Sequence, residues 1–205
     1  MNKINALFTD IGGVLLTNGW DTNSRNKAIE KFDLSADKDE IAERHHLCFD
    51  TYEMGKTSLN DYLDKAFFFK ERKFTKKEFK DFMFEQSKPF DDMLGMVSQI
   101  KQKYNVRTAV VSNEGRELND YRIKKFGLSL FIDAFISSSY VHLRKPDEDI
   151  FKMALDIMHV HPKEVVYIDD RMLFVEIAEK VGINGIHHTD YQSTLKKLSE
   201  HNLNL

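Results

Sequence analysis

Three apolar runs in this chain each end in side chains able to do chemistry on an anion. The first, Leu7-Phe8-Thr9-Asp10, is followed at once by Ile11-Gly12-Gly13. The second, Val106 to Asn113, reads V-R-T-A-V-V-S-N and ends in Ser112 and Asn113. The third, Val165 to Asp170, reads V-V-Y-I-D-D and ends in two acids, Asp169 and Asp170. Between the last two, Arg144-Lys145-Pro146-Asp147 opens a helical pattern. A carboxylate placed like Asp10 can be a nucleophile, a metal ligand or both. Asp10 and Asp170 together offer two hard oxygen ligands. That suits magnesium, which takes one or two carboxylates plus a phosphate and keeps several waters. Lys145 offers a compact charge for a phosphate and keeps the carboxylates from repelling it. Ser112 and the amides after it, including that of Asn113, can donate to phosphate oxygens where a helix begins. Asp169 is adjacent to Asp170 and points differently, so it is read as orienting Lys145 or a metal-bound water.

Each feature also has a plainer reading. Asp10 can open an ordinary strand-to-helix turn, and Ser112 or Asn113 can be an N-cap. The two acids can cap unrelated helices. Arg144-Lys145 can be a solvated surface pair, against which stands Pro146, expected at a first helical turn where it fixes the loop.

The elements that must position these groups are legible in the periodicity. Short apolar runs predict buried strands over 5–9, 106–111, 134–138, 165–169 and 183–187. Helical spacing predicts helices over 93–104, 118–126, 147–159, 173–181 and 191–201, with Gly127 and Gly182 as terminating glycines. This alternation predicts an α/β fold with a doubly wound parallel sheet, in which the carboxyl ends of the strands share one edge. From Asp21 to Gln86 the pattern is helical throughout. Four helices and no strands are expected, broken near Gly55 and the charged run Lys70 to Lys73. Ser58 with Asp61 resembles a capping box, and Thr75-Lys76-Lys77-Glu78 is a cleaner one. The phenylalanines Phe67, Phe68, Phe69, Phe79 and Phe82 read as the core of these helices. Trp20 is placed at the junction, either lining an entrance or packing a hinge.

Composition bounds the rest. The chain has 205 residues, 41% of them hydrophobic, and a formal net charge of −3. That supports one domain with an insertion and argues against wholesale disorder. The slightly acidic balance gives no reason to expect nucleic acid. Cys48 is the lone cysteine, which excludes an intrachain disulfide and fits a reducing compartment; it reads as a small packed residue. Asp10 interrupts the first apolar run too early for a signal peptide, and no run reaches transmembrane length. A cytoplasmic protein without membrane partners is the expectation; the oligomeric state is not legible.

The order Asp10, Ser112, Lys145, Asp169-Asp170 resembles the haloacid dehalogenase-like hydrolase superfamily, mostly phosphatases, and the resemblance spans Asp10 to Asp170. It implies that Asp10 is the nucleophile and that the helical segment, residues 17–89, is a cap inserted into a core made of 1–16 and 90–205. It also implies magnesium held by Asp10, Asp170 and the backbone carbonyl of Gly12. Gly12 is the main departure. The family's usual D-x-D motif has there an aspartate that serves as general acid and base, whereas a phosphatase branch with D-x-G-G or D-x-G-N shares the glycine. Phe174 is a second departure, standing where the family often has Asp or Asn. His187-His188 is not read as a metal site.

The expected activity is that of a magnesium-dependent phosphatase acting on a small phosphorylated metabolite through an aspartyl-phosphate. A catalytically impaired phospholigand-binding protein is the alternative that Gly12 favours. A metal-free dehalogenase ranks last, because that branch usually carries tyrosine at this place. General acid–base help contributes about 10²–10⁴-fold, and Gly12 cannot supply it. Either the leaving group needs little protonation, or the cap supplies a group, with His45, His46, Tyr52 and Lys56 as candidates.

Overall fold

A computed structural model describes residues 3–205. Five strands, β1 Ala6–Thr9, β2 Arg107–Ser112, β3 Ala134–Ser137, β4 Val165–Asp169 and β5 Asn184–His187, form one sheet. All pair in parallel, in the order β3-β2-β1-β4-β5. Every residue of β1 and β4 is buried, which is why these strands read as continuous apolar runs rather than as alternating ones. The chain builds outward from β1 to β3, then crosses back to lay β4 on the other side of β1. The strand order therefore reverses between β1 and β4, the place where open α/β sheets bind ligands.

Among the described residues ten α-helices accompany the strands: α1 Thr22–Lys31, α2 Lys38–Glu53, α3 Leu59–Ala66, α4 Lys76–Glu85, α5 Asp91–Tyr104, α6 Arg116–Lys125, α7 Ser138–Val141, α8 Asp149–Met158, α9 Met172–Lys180 and α10 Tyr191–Glu200. Side chains of β1 alternate between two cores. Leu7 joins Met96, Val97 and Ile100 of α5 and Leu198 of α10 on one face. Ala6 and Phe8 join Phe151 and Ala154 of α8 and Ala178 of α9 on the other. The sheet is thus covered on both faces, as the alternating pattern predicts.

The segment between β1 and α5 carries α1 to α4 and, among the described residues, no strand. Both capping boxes form, Ser58 with Asp61 and Thr75 with Glu78; each such cap is worth about 1 kcal/mol. Its own core gathers Trp20, Tyr62, Phe67 and Phe79. The chain leaves and re-enters the sheet layer side by side, with an antiparallel bridge between Leu16 and Pro89 and a 2.9 Å bond from the Thr17 N–H to the Lys88 carbonyl.

Element ends differ from expectation in two informative places. The helix expected from Asp147 begins at Asp149, so Pro146 lies in the preceding loop and not in a first helical turn. The helix expected from Leu118 begins at Arg116, with Gly115 as its N-cap. Neither Ser112 nor Asn113 is therefore a cap: Ser112 is the last residue of β2 and Asn113 opens the three-residue turn, Asn113 to Gly115, between strand and helix. The short helix α7 had no periodic signal, because four residues are too few to show one.

Candidate functional site

β1 ends by delivering Asp10, whose N–H still bonds the Ile168 carbonyl of β4 at 2.9 Å. The next strand-paired residue on β4, Asp169, lies level with this end of the sheet. Parallel pairing of β1 with β4 thus forces the three acids together. One oxygen from each of Asp10, Asp169 and Asp170 lies within 4.8 Å of the others.

The three are not equivalent. Asp169 is fully buried and committed to protein partners. Its Oδ2 accepts from Lys145 Nζ at 2.6 Å and from the Tyr167 hydroxyl, and its Oδ1 accepts from the Arg171 N–H at 2.8 Å. Asp170 has the opposite character: its Oδ1 is buried with no hydrogen-bond partner. A buried carboxylate oxygen without a donor is costly unless a cation or water meets it. Gly13 makes this position possible. At φ +75 it adopts a conformation that side chains rarely take, and a Cβ there would stand 2.2 Å from Asp170 Oδ2.

Lys145 is buried and places its ammonium 3.4 Å from Asp10 Oδ1 as well as 2.6 Å from Asp169. Burial works against its charge, but the two carboxylates more than offset this and hold its pKa above the ordinary lysine value. Phe174 lines the same cavity, with its ring centroid 4.8 Å from that ammonium. The aromatic ring at this second departure from the family pattern therefore packs over the site lysine. Asn113 fixes the loop that carries Lys145: its side-chain amide donates to the Lys145 carbonyl and accepts from the Lys145 N–H, both at 2.8 Å. Ser112 is buried beside Asp10 and stabilises its ionised form, as Lys145 does. Burial outweighs both and, with Asp169 and Asp170, pushes the Asp10 carboxyl up to about 6. A divalent cation shared by Asp10 and Asp170 would restore the carboxylate.

Above these groups lies a cavity of about 260 Å³, lined by Asp10, Gly12 and Lys145 from the sheet side and by Asn18, Trp20, Arg25 and Glu53 from the insertion. None of the four insertion residues expected to supply an acid lines it. His45 Nδ1 lies 2.8 Å from the Tyr62 hydroxyl, which accepts from the Trp20 indole at 2.9 Å, and burial lowers His45 to about 4. It is a neutral packed imidazole. His46 faces a separate groove between α1 and α2. Tyr52 is buried, and its hydroxyl has no partner. Lys56 is exposed. Trp20 does both things expected of it, packing at 5.7–5.8 Å from Phe67 and Phe79 while lining the cavity. His187 Nε2 meets the Asp170 carbonyl at 3.0 Å and His188 Nδ1 meets Thr194 Oγ1 at 2.7 Å, so both rings have protein partners.

The residues missed in the sequence are the charged pairs of the rim. Glu53, at the end of α2, accepts from Arg144 at 2.6 and 2.9 Å. Glu114 pairs with Arg122, which is 1% exposed and also donates to the Thr17 carbonyl and, at 3.1 Å, to Ser87 Oγ. Arg122 therefore ties both connections of the insertion to α6. Glu114 had a usable signal: it directly follows Ser112-Asn113, in the turn where the polar end of β2 opens on the site.

Known proteins agree with this architecture. A haloacid dehalogenase-like hydrolase enzyme of Bacteroides thetaiotaomicron superposes with a TM-score of 0.79 at 19% identity, covering 90% of this chain and 93% of that one. The same enzyme has been solved with magnesium and inorganic phosphate, at a TM-score of 0.74 and covering 89% of this chain and 93% of that one. A predicted hydrolase of this kind from Porphyromonas gingivalis gives 0.75 at 19% identity, covering 97% and 98%. Among curated relatives, bifunctional epoxide hydrolase 2 of Rattus norvegicus is 30% identical over 112 residues, 53% of this chain and 20% of that protein. A phosphorylated carbohydrates phosphatase of Thermotoga maritima is 27% identical over 96 residues, 47% of this chain and 43% of that protein. The chain spans less than half the length of both curated relatives. The haloacid dehalogenase-like hydrolase family model matches residues 13–187, from just after Asp10 and Gly12 to the end of β5. With the strand order, the edge on which the acids and Lys145 converge and that match, the chain belongs to the haloacid dehalogenase-like hydrolases.

Proposed function

We propose that the chain is a magnesium-dependent phosphatase of small phosphorylated metabolites, with Asp10 as the nucleophile. The observation that carries this reading is the buried Oδ1 of Asp170, unpartnered among the described residues, on a carboxylate that offers an oxygen within 4.8 Å of one from Asp10 at the strand-order reversal. Two carboxylates with an unmet oxygen, beside a buried lysine, fit one hard cation and one phosphate. Asp10, Asp170 and the Gly12 carbonyl would hold the magnesium, whose charge would draw a phosphate into place and offset its negative oxygens.

The residues of the chain have separable parts in this reading. The Asp10 carboxylate attacks phosphorus, the bond to the leaving oxygen breaks, and an aspartyl-phosphate results. Lys145 stays protonated under the pull of Asp10 and Asp169 and neutralises the phosphoryl oxygens. Asp169 and Tyr167 keep that ammonium in place. Ser112 and the N–H of Asn113 donate to the same oxygens. Positioning and charge neutralisation do most of the work in phosphoryl transfer, and all of these groups sit on strand ends or in loops pinned to them. The phosphatase name of the Thermotoga relative and the phosphate complex of the Bacteroides enzyme are consistent with the same substrate class.

A screen of phosphorylated metabolites with magnesium tests the reading. Release of inorganic phosphate that stops on chelation and returns with added magnesium is the expected result. Tight binding of phosphorylated ligands without turnover of any ester would replace the enzyme with a phospholigand-binding protein.

A further inference from the structure

We infer that Glu114 is the general acid and base of this site, held by Arg122 beside the space that a side chain at position 12 would fill. The inference rests on the phosphatase reading above and addresses the group that reading lacks. A Cβ built on Gly12 would stand 3.8 Å from Arg122 Nη1. That nitrogen is the one that donates to Glu114 Oε2. A carboxylate at position 12 would thus come within reach of the guanidinium that Glu114 already occupies. The chain has no acid at 12 and has one, from a different loop, at the same cation.

Glu114 is also placed to act. It lines the cavity that contains Asp10. One carboxylate oxygen is on Arg122, and no donor among the described residues reaches the other. Its backbone is anchored, because its N–H donates to Ser138 Oγ at 2.9 Å and Ser138 Oγ donates to the Glu53 carbonyl at 2.6 Å. The charged and titratable groups around it are Arg122 on α6, Glu53 and Tyr52 on α2, and Asp10 after β1. Burial raises its carboxyl to about 7, Arg122 opposes that, and Glu53 and Asp10 add to it. An acid that ionises near neutrality can both give and take a proton there. The other cavity carboxylates are less suited: Asp21 caps α1 through Ser24, and Glu53 is engaged by two nitrogens of Arg144.

The step balances. As Asp10 attacks phosphorus, the bond to the ester oxygen breaks and the Glu114 carboxyl proton passes to that oxygen, releasing an alcohol. Glu114, now a carboxylate, takes a proton from a water whose oxygen attacks the phosphorus of the aspartyl-phosphate. The bond between phosphorus and Asp10 breaks, leaving inorganic phosphate, a free Asp10 carboxylate and a protonated Glu114.

Steady-state hydrolysis of an alkyl and an aryl phosphate, which leave with and without need of a proton, tests this in two ways. In the unmodified protein the ratio of alkyl to aryl kcat/KM should fall as pH rises through about 7. Glu114→Gln should lower the alkyl phosphate kcat/KM, which reports only the steps up to release of the alcohol, about 10²-fold or more beyond its effect on the aryl ester, in line with what acid–base groups contribute. A merely structural Glu114 would lower both equally. The pH ratio needs no variant, so it stands even if Glu114→Gln folds poorly. A flat ratio, or equal losses on both esters in the variant, overturns the role of Glu114 while leaving the phosphatase intact. No magnesium-dependent turnover of either ester by the unmodified protein overturns the phosphatase reading and this inference together.

Discussion

Two sets of charged side chains, one beneath the cavity and one around it, are built in different ways. On the floor, Asp10, Lys145, Asp169 and Asp170 come from strand ends in fixed parallel register and from one loop pinned to β2 by Asn113. On the rim, Glu53 with Arg144 joins the insertion to the core across a long sequence separation, and Arg122, paired with Glu114 of the neighbouring turn, reaches Thr17 and Ser87 at the two ends of the insertion. Lys145 and Asp169 of the floor have 0% side-chain exposure, whereas the rim is uneven, with Arg122 at 1% and Arg144 at 28%. A register error in the sheet would scatter the floor. The rim depends instead on how two separately cored layers meet. On the proposed reading, the difference separates the groups that would hold a reacting phosphate from those that surround it.

The largest effect should come from the floor's metal side. Asp170→Ala should remove most magnesium-dependent turnover, about 10²-fold or more, since ligands and their supports matter at this scale. Titration of activity against magnesium checks it, and an unchanged magnesium response would take Asp170 out of the ligand set. Next comes stability. Lys145→Met strands Asp10 and Asp169 as buried, unpaired acids, and breaking a buried pair costs about 3–5 kcal/mol. Arg144→Gln should cost about 1 kcal/mol or less, because a partly exposed pair is screened. Urea unfolding of the two variants compares floor and rim directly. Equal losses would mean that the two regions are not built differently.

This contrast also explains what could be read from the sequence. The three acids of the floor were legible because they end apolar runs, a position that parallel pairing converts into proximity, and Lys145 through the Arg144-Lys145-Pro146-Asp147 run ahead of a helix. The four helices between Asp21 and Gln86 were legible through their spacing and through the boxes at Ser58 and Thr75. Nothing local marks Arg122 as a buried tie, since it sits in a helix whose remaining residues are largely polar. Likewise nothing in Gly115 announces that a Cβ there would stand 2.1 Å from the Tyr52 ring. Such contacts belong to the meeting of α6 with α2, which no periodicity encodes. His45 and Tyr52 were weighed as acids because of their residue types alone, and packing disposed of both. The acid-bearing turn after β2 carried a better signal, a carboxylate two residues beyond Ser112.

The central claim is that Asp10 takes the phosphoryl group. Rapid acid quench of the magnesium-loaded protein during turnover of an aryl phosphate, followed by mass analysis of the peptide containing Asp10, tests it most directly. The account predicts one added phosphoryl group on Asp10, present early in turnover and absent in Asp10→Asn. Turnover with no phosphoryl group on that peptide at any time, or with Asp10→Asn as active as the unmodified protein, would contradict it.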